Sequence, residues 1–288
     1  MAVPKVTVIC LCYNQERFVM EALHSVLTQT YPNIQLIVVD DASSDNSSKI
    51  IGEIATRRPD ITFIRLPENS GNCKAFNTAL KFAEGDYLID LAADDVLLPE
   101  RVSRGVDALS IAGDRFGVNF TDAEWMAEDG SHLSWHSDRF RHDTVPQGDV
   151  YADVISRFFI CSPTVMFKRS VIESLNGYDE ALAYEDFDFW VRSSRNFYYT
   201  YTPEVLVQKR VVENSMSQKQ FSFFSRQLHT TFRVCEKILS LNRNRHEQKA
   251  LARRILYEIK VCARLLNFSL VWKYIGLYRK NAKACFQD

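Results

Sequence analysis

Apolar and polar positions alternate with two different periods along the first hundred residues. Pro4 precedes the run Val6-Thr7-Val8-Ile9-Cys10, which predicts a strand over 5–10. Asn14 stands where a helix N-cap belongs. It precedes a stretch, 16–29, in which Phe18, Ala22, Val26 and Leu27 recur at helical spacing. Tyr31-Pro32-Asn33 ends that stretch, and 35–39 is an unbroken apolar run of the kind buried on both faces of a sheet. Ser43 or Ser44 can cap a helix reaching about Arg57. A third strand is predicted over 61–65, and a third helix over 71–84 with Gly85 as its C′ residue. A fourth strand follows over 87–91, and Pro99 suits the first turn of the next helix. Strand and helix in strict alternation imply a parallel sheet covered by helices, an α/β architecture.

Sheets of this kind bind ligands beyond the carboxyl ends of their strands. Those ends carry Asn14, Asp40-Asp41, Asn69 and Asp94-Asp95, so four consecutive strands deliver polar groups to one edge. The second half is less regular. A strand over 118–121 ends at Asp122, and 131–148 reads as a surface loop holding His132, Trp135 and His136. A strand is predicted over 164–167 and a helix over 185–195. From 217 to 286 the pattern is helical, without proline. Two parts follow: 1–216 as the α/β domain and 217–288 as a helical C-terminal extension.

The chain has 288 residues, of which 46% are hydrophobic and 25% charged, values of a globular protein with a sizeable core. No apolar run is long enough for a spanning helix, and the N-terminus reads as a strand instead of a leader. Seven cysteines without zinc-ribbon spacing suit reduced thiols in a cytosolic protein. The net charge of −1 hides an asymmetry. Residues 209–288 hold 17 Lys/Arg against 5 Asp/Glu, leaving −13 for the rest. A solvated helical face accounts for this, as does contact with an anionic lipid surface or a partner. Trp272, Tyr274 and Tyr278 among Lys273, Arg279, Lys280 and Lys283 favour a membrane face. GxSxG, P-loop and GxGxxG motifs are missing, which removes the usual warrant for esterase, NTPase and dinucleotide chemistry.

Five blocks, in order, carry a resemblance. They are Val-Thr-Val-Ile-Cys-Leu-Cys-Tyr-Asn-Gln at 6–15, Tyr-Pro-Asn-Ile-Gln-Leu-Ile-Val-Val-Asp-Asp-Ala-Ser-Ser-Asp-Asn-Ser at 31–47, 69–77, Gly85-Asp86-Tyr87 through Asp94-Asp95, and Gly177-Tyr178-Asp179-Glu180 followed by Glu185-Asp186. In these the sequence resembles glycosyltransferase family 2, over roughly three quarters of its length. The resemblance implies a GT-A (Rossmann-like) fold, a mostly parallel central sheet flanked by helices. It implies an inverting transferase that moves a sugar from a nucleotide-diphosphate donor, UDP-linked, to a hydroxyl of a glycan or lipid-linked acceptor in bacterial envelope polysaccharide synthesis. A cytoplasmic enzyme, peripheral at the inner face of the plasma membrane, would follow; a homodimer is left open, and nucleic acid is not an expected partner.

Carried over by residue, Cys12, Tyr13 and Asn14 wall the base, and Asp41 contacts uracil or ribose. The alternative is that Asp40 and Asp41 organise their turn and cap the next helix through Ser43, a reading that suits Asp40 better than Asp41. Lys74 either reaches the donor or is solvated. The metal position departs from the family pattern: where Asp-x-Asp-Asp is usual, the chain has Ala92-Ala93-Asp94-Asp95. Asp94 remains as metal ligand for Mg²⁺ or Mn²⁺, since a hard cation needs only one carboxylate plus substrate phosphates and waters. Asp90 could substitute in part, and Asp95 reads as a loop residue. Asp186 is the expected catalytic base, paired with Glu185. Arg210 would meet the diphosphate from a flexible segment, or serve a structural ion pair. Asp122 and Trp190 are acceptor-side candidates, Trp190 also fitting the core, and Trp135 could stack on an acceptor sugar. Zinc at His132 and His136 lacks a third ligand. Two rivals remain: a catalytically silent relic, which Ala92 favours, and a sugar nucleotidyltransferase, which would want a basic Gly-rich loop after the first strand.

Overall fold

The computed structural model describes residues 3–141, 144–213 and 225–284. Four parallel strands come first: β1 (Val6–Cys12), β2 (Ile34–Asp40), β3 (Thr62–Arg65) and β4 (Tyr87–Ala92), lying side by side in the order β3-β2-β1-β4. Helices α1 (Val19–Leu27), α2 (Ser47–Arg57) and α3 (Asn72–Leu80) connect them. The sheet continues through β8 (Met166–Lys168), β6 (Phe116–Met126), β9 (Tyr198–Arg210) and β5 (Val96–Leu97), with β7 (His132–Trp135) beside β6. β8 runs antiparallel to β4 and β6, whereas β6 and β9 are parallel. Helices α4 (Arg101–Ala112), α5 (Tyr151–Ser156), α6 (Arg169–Ser174) and α7 (Asp186–Ser193) complete this part. Three helices follow: α8 (Arg226–Leu241), α9 (Arg245–Arg264) and α10 (Phe268–Ala284).

The period-two alternation of β1 divides its side chains between two cores. Val6, Val8, Cys10 and Cys12 join Leu36, Val38, Ile89 and Leu91 on one face. Ile9 joins Ile37, Val39 and Leu88 on the other. Burying a side chain of this class contributes about 1.5–3 kcal/mol, so a strand apolar on both faces is stable only at the centre of a covered sheet. The second core also takes in Tyr151, Leu228, Val234, Leu251 and Tyr274, so α8–α10 share apolar surface with the α/β part. A buried pair, Arg195 with Glu247 at 2.8 Å, and the ion pairs of Lys237 with Asp179 and Asp188 add polar ties.

Several sequence expectations need correction. Asn14 does not cap α1; its backbone is left-handed (φ 54°) and its side chain serves another loop. Neither Ser43 nor Ser44 caps α2, which begins after Asn46. Helix α3 stops at Leu80, short of Glu84, so Gly85 is not its C′ residue. Gly85 is required for a different reason. A Cβ there would lie 2.4 Å from the Thr7 amide nitrogen and 2.6 Å from the Tyr87 carbonyl oxygen, where β1 and β4 meet. Pro99 precedes α4 by two residues instead of opening it. The strand expected to end at Asp122 runs on to Met126. Part of the 131–148 loop is the second arm of a hairpin, turned at Asp129-Gly130 with Gly130 at φ 84°. β9 went unpredicted because Pro203 interrupts its pattern; the pairing skips from Thr121↔Thr202 to Asp122↔Val205, and that irregularity accommodates the proline. Of the 217–286 helical stretch, 217–224 and 285–286 fall outside the described residues.

Gly85→Ala is expected to lower stability by about 2–4 kcal/mol through overpacking against backbone. Gly113→Ala, at φ 93° in open space, should cost only about 1–2 kcal/mol of backbone strain. Urea unfolding of the two variants checks the order.

Candidate active site

The loops after β1 and β2 are sewn together by side chain to backbone hydrogen bonds. The Asn14 amide donates to Ser43 Oγ at 2.9 Å, and Asn14 Oδ1 accepts from the Ser44 amide at 2.8 Å. The Gln15 amide donates to Ser47 Oγ, the Glu16 amide to Asp45, and the Asn46 amide to Glu16. These bonds fix the edge where the first two strands end. Cys12 is buried beneath it, its thiol pushed up to about 12 mainly by burial. Tyr13 is 47% exposed, an open aromatic face on a rigid edge.

Asp41, also buried, reaches across to the start of α3. Its carboxylate accepts from the Ser70 amide at 2.7 Å and the Gly71 amide at 2.8 Å. It therefore organises a neighbouring loop, and leaves Ser43 to Asn14. Asp40 is buried with only a long contact to the Ser43 amide, at 3.4 Å, and Arg65 at 3.9 Å. Asn72, next after Gly71, hydrogen-bonds Glu185 and so joins this edge to the start of α7.

Around that point five carboxyl groups converge: Asp90 from β4, Asp94 and Asp95 just beyond it, and Glu185 and Asp186 at the N-terminus of α7. All five have raised pKa values, with burial the first cause. Asp90 is pushed up to about 7 by burial and then by Asp186, although the Tyr178 hydroxyl donates to it at 3.1 Å. Asp95 is pushed up to about 8 by burial and then by Asp94. Glu185 is raised by burial, Asp90 and Asp186. Asp186 is raised by burial, with the Phe187 amide, Lys209 and the Ser162 hydroxyl at 3.3 Å working the other way. Two cations face part of this charge: Arg210 acts on Asp94 and Asp95, and Lys209 on Asp94, Asp95 and Asp186. Burial works against the Lys209 cation, yet Cys161, Asp95, Asp186 and Asp94 outweigh it and hold its pKa above the ordinary lysine value. The family position Ala92 is exposed beside this cluster.

The structure thus sets Glu185 beside Asp186, links Asp186 to Asp94 through their common neighbour Lys209, and links Glu185 through Asn72 to the loop that Asp41 holds. It does not bring in every candidate. Arg210 lies not on a flexible segment but at the last position of β9, buried, with its guanidinium on Glu21 at 2.5 Å and on the carbonyls of Asp94, Ala127 and Glu128. It is a clamp whose donors are taken up by the protein. Asp122 is buried, and its oxygens accept from the amides of Ala123 and Ser137 and from the Ser137 hydroxyl, so it anchors a turn instead of lining an acceptor pocket. Trp190 is 7% exposed inside the core and presents no ring to a sugar. Lys74 is solvated on the first turn of α3. His132 pairs with Glu124 at 2.7 Å and His136 with the Phe159 carbonyl at 3.1 Å, so the two share no ligand. Trp135 stands 40% exposed on the hairpin.

Among the described residues, no group of three or more His, Cys, Asp or Glu side chains is placed to hold a metal by itself. The donor chemistry nonetheless fits a hard cation, because oxygen ligands outnumber the positive charge beside them. Lys209, Tyr178 and Ser162 were missed as site residues. Lys209 stands next to the arginine that was chosen, and the alternation of a strand, had β9 been recognised, separates the two faces.

Residues 7–175 match the model of "Glycosyl transferase family 2". The chain is 29% identical over 219 residues to the putative teichuronic acid biosynthesis glycosyltransferase TuaG of Bacillus subtilis, covering 76% of this chain and 83% of that one. It superposes on S. aureus TarS 1–349 in complex with UDP-GlcNAc at TM-score 0.70, with 19% identity, covering 87% of this chain and 71% of that one. It spans only 43% of a longer TarS chain. The mannosyltransferase PcManGT of Pyrobaculum calidifontis, in complex with GDP-Man and Mn²⁺, aligns at TM-score 0.66 and 18% identity, covering 98% of this chain and 85% of that one. The fold is GT-A, and the chain belongs to glycosyltransferase family 2 as a nucleotide-sugar-dependent glycosyltransferase.

Proposed function

We propose that the protein transfers a sugar from a UDP-linked donor, with inversion, to a hydroxyl of a glycan or lipid-linked acceptor in envelope polysaccharide synthesis. The observation that carries this reading is the convergence of Asp94 and Asp186 on the one ammonium group of Lys209. The acceptor oxygen bonds to the anomeric carbon while that carbon's bond to the diphosphate oxygen breaks. The electron pair leaves with the diphosphate, and the acceptor proton passes to Asp186. A buried carboxylate with a raised pKa is a stronger base than a solvated one and needs to accept the proton only as the new bond forms. Tyr13 supplies a face for the base, and Asp41 supports its edge. Asp94 would hold Mg²⁺ or Mn²⁺, a Lewis acid toward the diphosphate. Lys209 takes the phosphate-facing role expected of Arg210. The Mn²⁺ beside GDP-Man in PcManGT and the UDP-GlcNAc in TarS support metal use and the donor class. The exposed Ala92 supports a second reading, a donor-binding relic without turnover, which activity measurements separate from the first.

Asp186→Asn is expected to reduce kcat about 10²–10⁴-fold with little change in donor binding. Donor turnover and UDP titration measure the two; full turnover in the variant would remove Asp186 as base. Activity should rise with pH as Asp186 ionises. EDTA is expected to abolish turnover and Mn²⁺ to restore it; turnover unaffected by EDTA would exclude the metal role.

Stability should run in the opposite direction. Asp90 and Asp95 have folded pKa values of about 7 and about 8, above the ordinary 3.8. The folded state holds their protons more tightly than the unfolded chain does. That stabilisation is complete below the ordinary value and is lost as pH rises through 7 to 8. The Tm of the unliganded protein should therefore fall from about pH 5 to about pH 8.5. Asp95→Asn should flatten the slope, and Mn²⁺ with UDP should raise the Tm most at the alkaline end.

A further inference from the structure

Helices α9 and α10 form an antiparallel hairpin, closed at one end by the Asn281 side chain donating to the Gln248 carbonyl at 2.9 Å and turning at Leu266, φ 52°. Their inner faces are core, including Leu251, Ile255, Leu270 and Tyr274. Their outer faces are unusual in charge. From 243 to 284, ten Lys/Arg side chains are exposed, and the only two acids, Glu247 and Glu258, are buried. Both acids are already paired, with Arg195 and Arg254 at 2.8 Å each. No carboxylate of this hairpin therefore offsets its solvent-facing cations.

The turning end adds apolar surface. Leu266 is 61% exposed, Phe268 58% and Trp272 70%. Phe268 and Trp272 stand four residues apart on the outer strip of α10, which continues through Arg279 and Lys283. Lys260, Arg264 and Lys273, all exposed, lie within one or two turns of these residues along the two helices, Lys273 with its ammonium 6.0 Å from the Phe232 ring of α8. An exposed helical turn that presents Trp, Phe and Leu beside exposed cations matches the boundary between lipid headgroups and acyl chains. Among the described residues no helix is long and apolar enough to cross a membrane, so the contact would be peripheral.

We infer that the turn between α9 and α10 is a membrane-docking device: Leu266, Phe268 and Trp272 enter the interface of an anionic bilayer while the cations of both helices bind its headgroups. The device is independent of the donor chemistry, so the two can fail separately. It places the enzyme where a lipid-linked acceptor is presented.

The test is sedimentation of the full chain with vesicles of phosphatidylcholine, with and without phosphatidylglycerol. Binding is expected only with phosphatidylglycerol, weakening as salt rises, with a blue shift in tryptophan emission that is lost in Trp272→Tyr. The pairs Phe268→Ser with Trp272→Ser, and Lys260→Glu with Lys273→Glu, should each lower partitioning at least about ten-fold. Arg57→Glu, an exposed cation on α2, should leave it unchanged. Unaltered donor turnover in solution and unaltered circular dichroism show that the variants are folded. Failure to sediment with anionic vesicles at low salt, or wild-type partitioning by both pairs, overturns the inference. Binding to soluble polyphosphate or polyglutamate without binding to vesicles also overturns it, and assigns the surface to a soluble polyanion.

Discussion

An excess of buried carboxyl groups at one edge of the sheet is the constraint on which the rest of this molecule depends. Such groups repel one another and are costly to desolvate, so the fold must hold them by force of packing. It does so with a central sheet apolar on both faces, whose ends project Asp90, Asp94 and Asp95 from one side. The N-terminus of α7, positive by its dipole, brings Glu185 and Asp186 from the other. Lys209 relieves part of the charge. The remainder leaves carboxyl groups with raised pKa values at the edge where the strands end.

Much of the fold was legible because the first four strands obey simple rules. Their continuous apolar runs and the helices between them predict a covered parallel sheet, and the structure has one. What the rules could not read was tertiary. Gly85 looks like a helix terminator but is small because two strands and a loop meet on it. Asn14 looks like a cap but ties one loop to another thirty residues away. β9 was hidden by Pro203, whose cost is removed by an irregular pairing no local pattern reveals.

The site was legible in part for the same reason. Asp94 follows from its place at a strand end, whereas Glu185 and Asp186 come from the family resemblance, and the structure sets them at the start of α7. Residues whose role depends on direction do not follow from such a place. Asp122, Trp190 and Arg210 have chemistry suited to a sugar or a phosphate, yet each turns inward. Buried hydrogen-bond partners decide such cases: an aspartate already accepting three bonds has little left for a substrate.

Lys209 and Arg210 are neighbours on an extended strand and therefore point to opposite sides. Lys209 meets Asp94, Asp95 and Asp186; Arg210 grips Glu21 on α1 and the carbonyls of Ala127 and Glu128 next to the hairpin, and also holds Asp95 and the Asp94 carbonyl through its amide and Nε. The arginine acts as a locating pin for the lysine. A slip of one residue in this strand would exchange the two, putting the wide planar guanidinium in the lysine's place and emptying its own socket. Insertions and deletions near the end of β9 should thus be far less tolerable than substitutions at either position, and the spacing between pin and cation is itself an element of the enzyme's design.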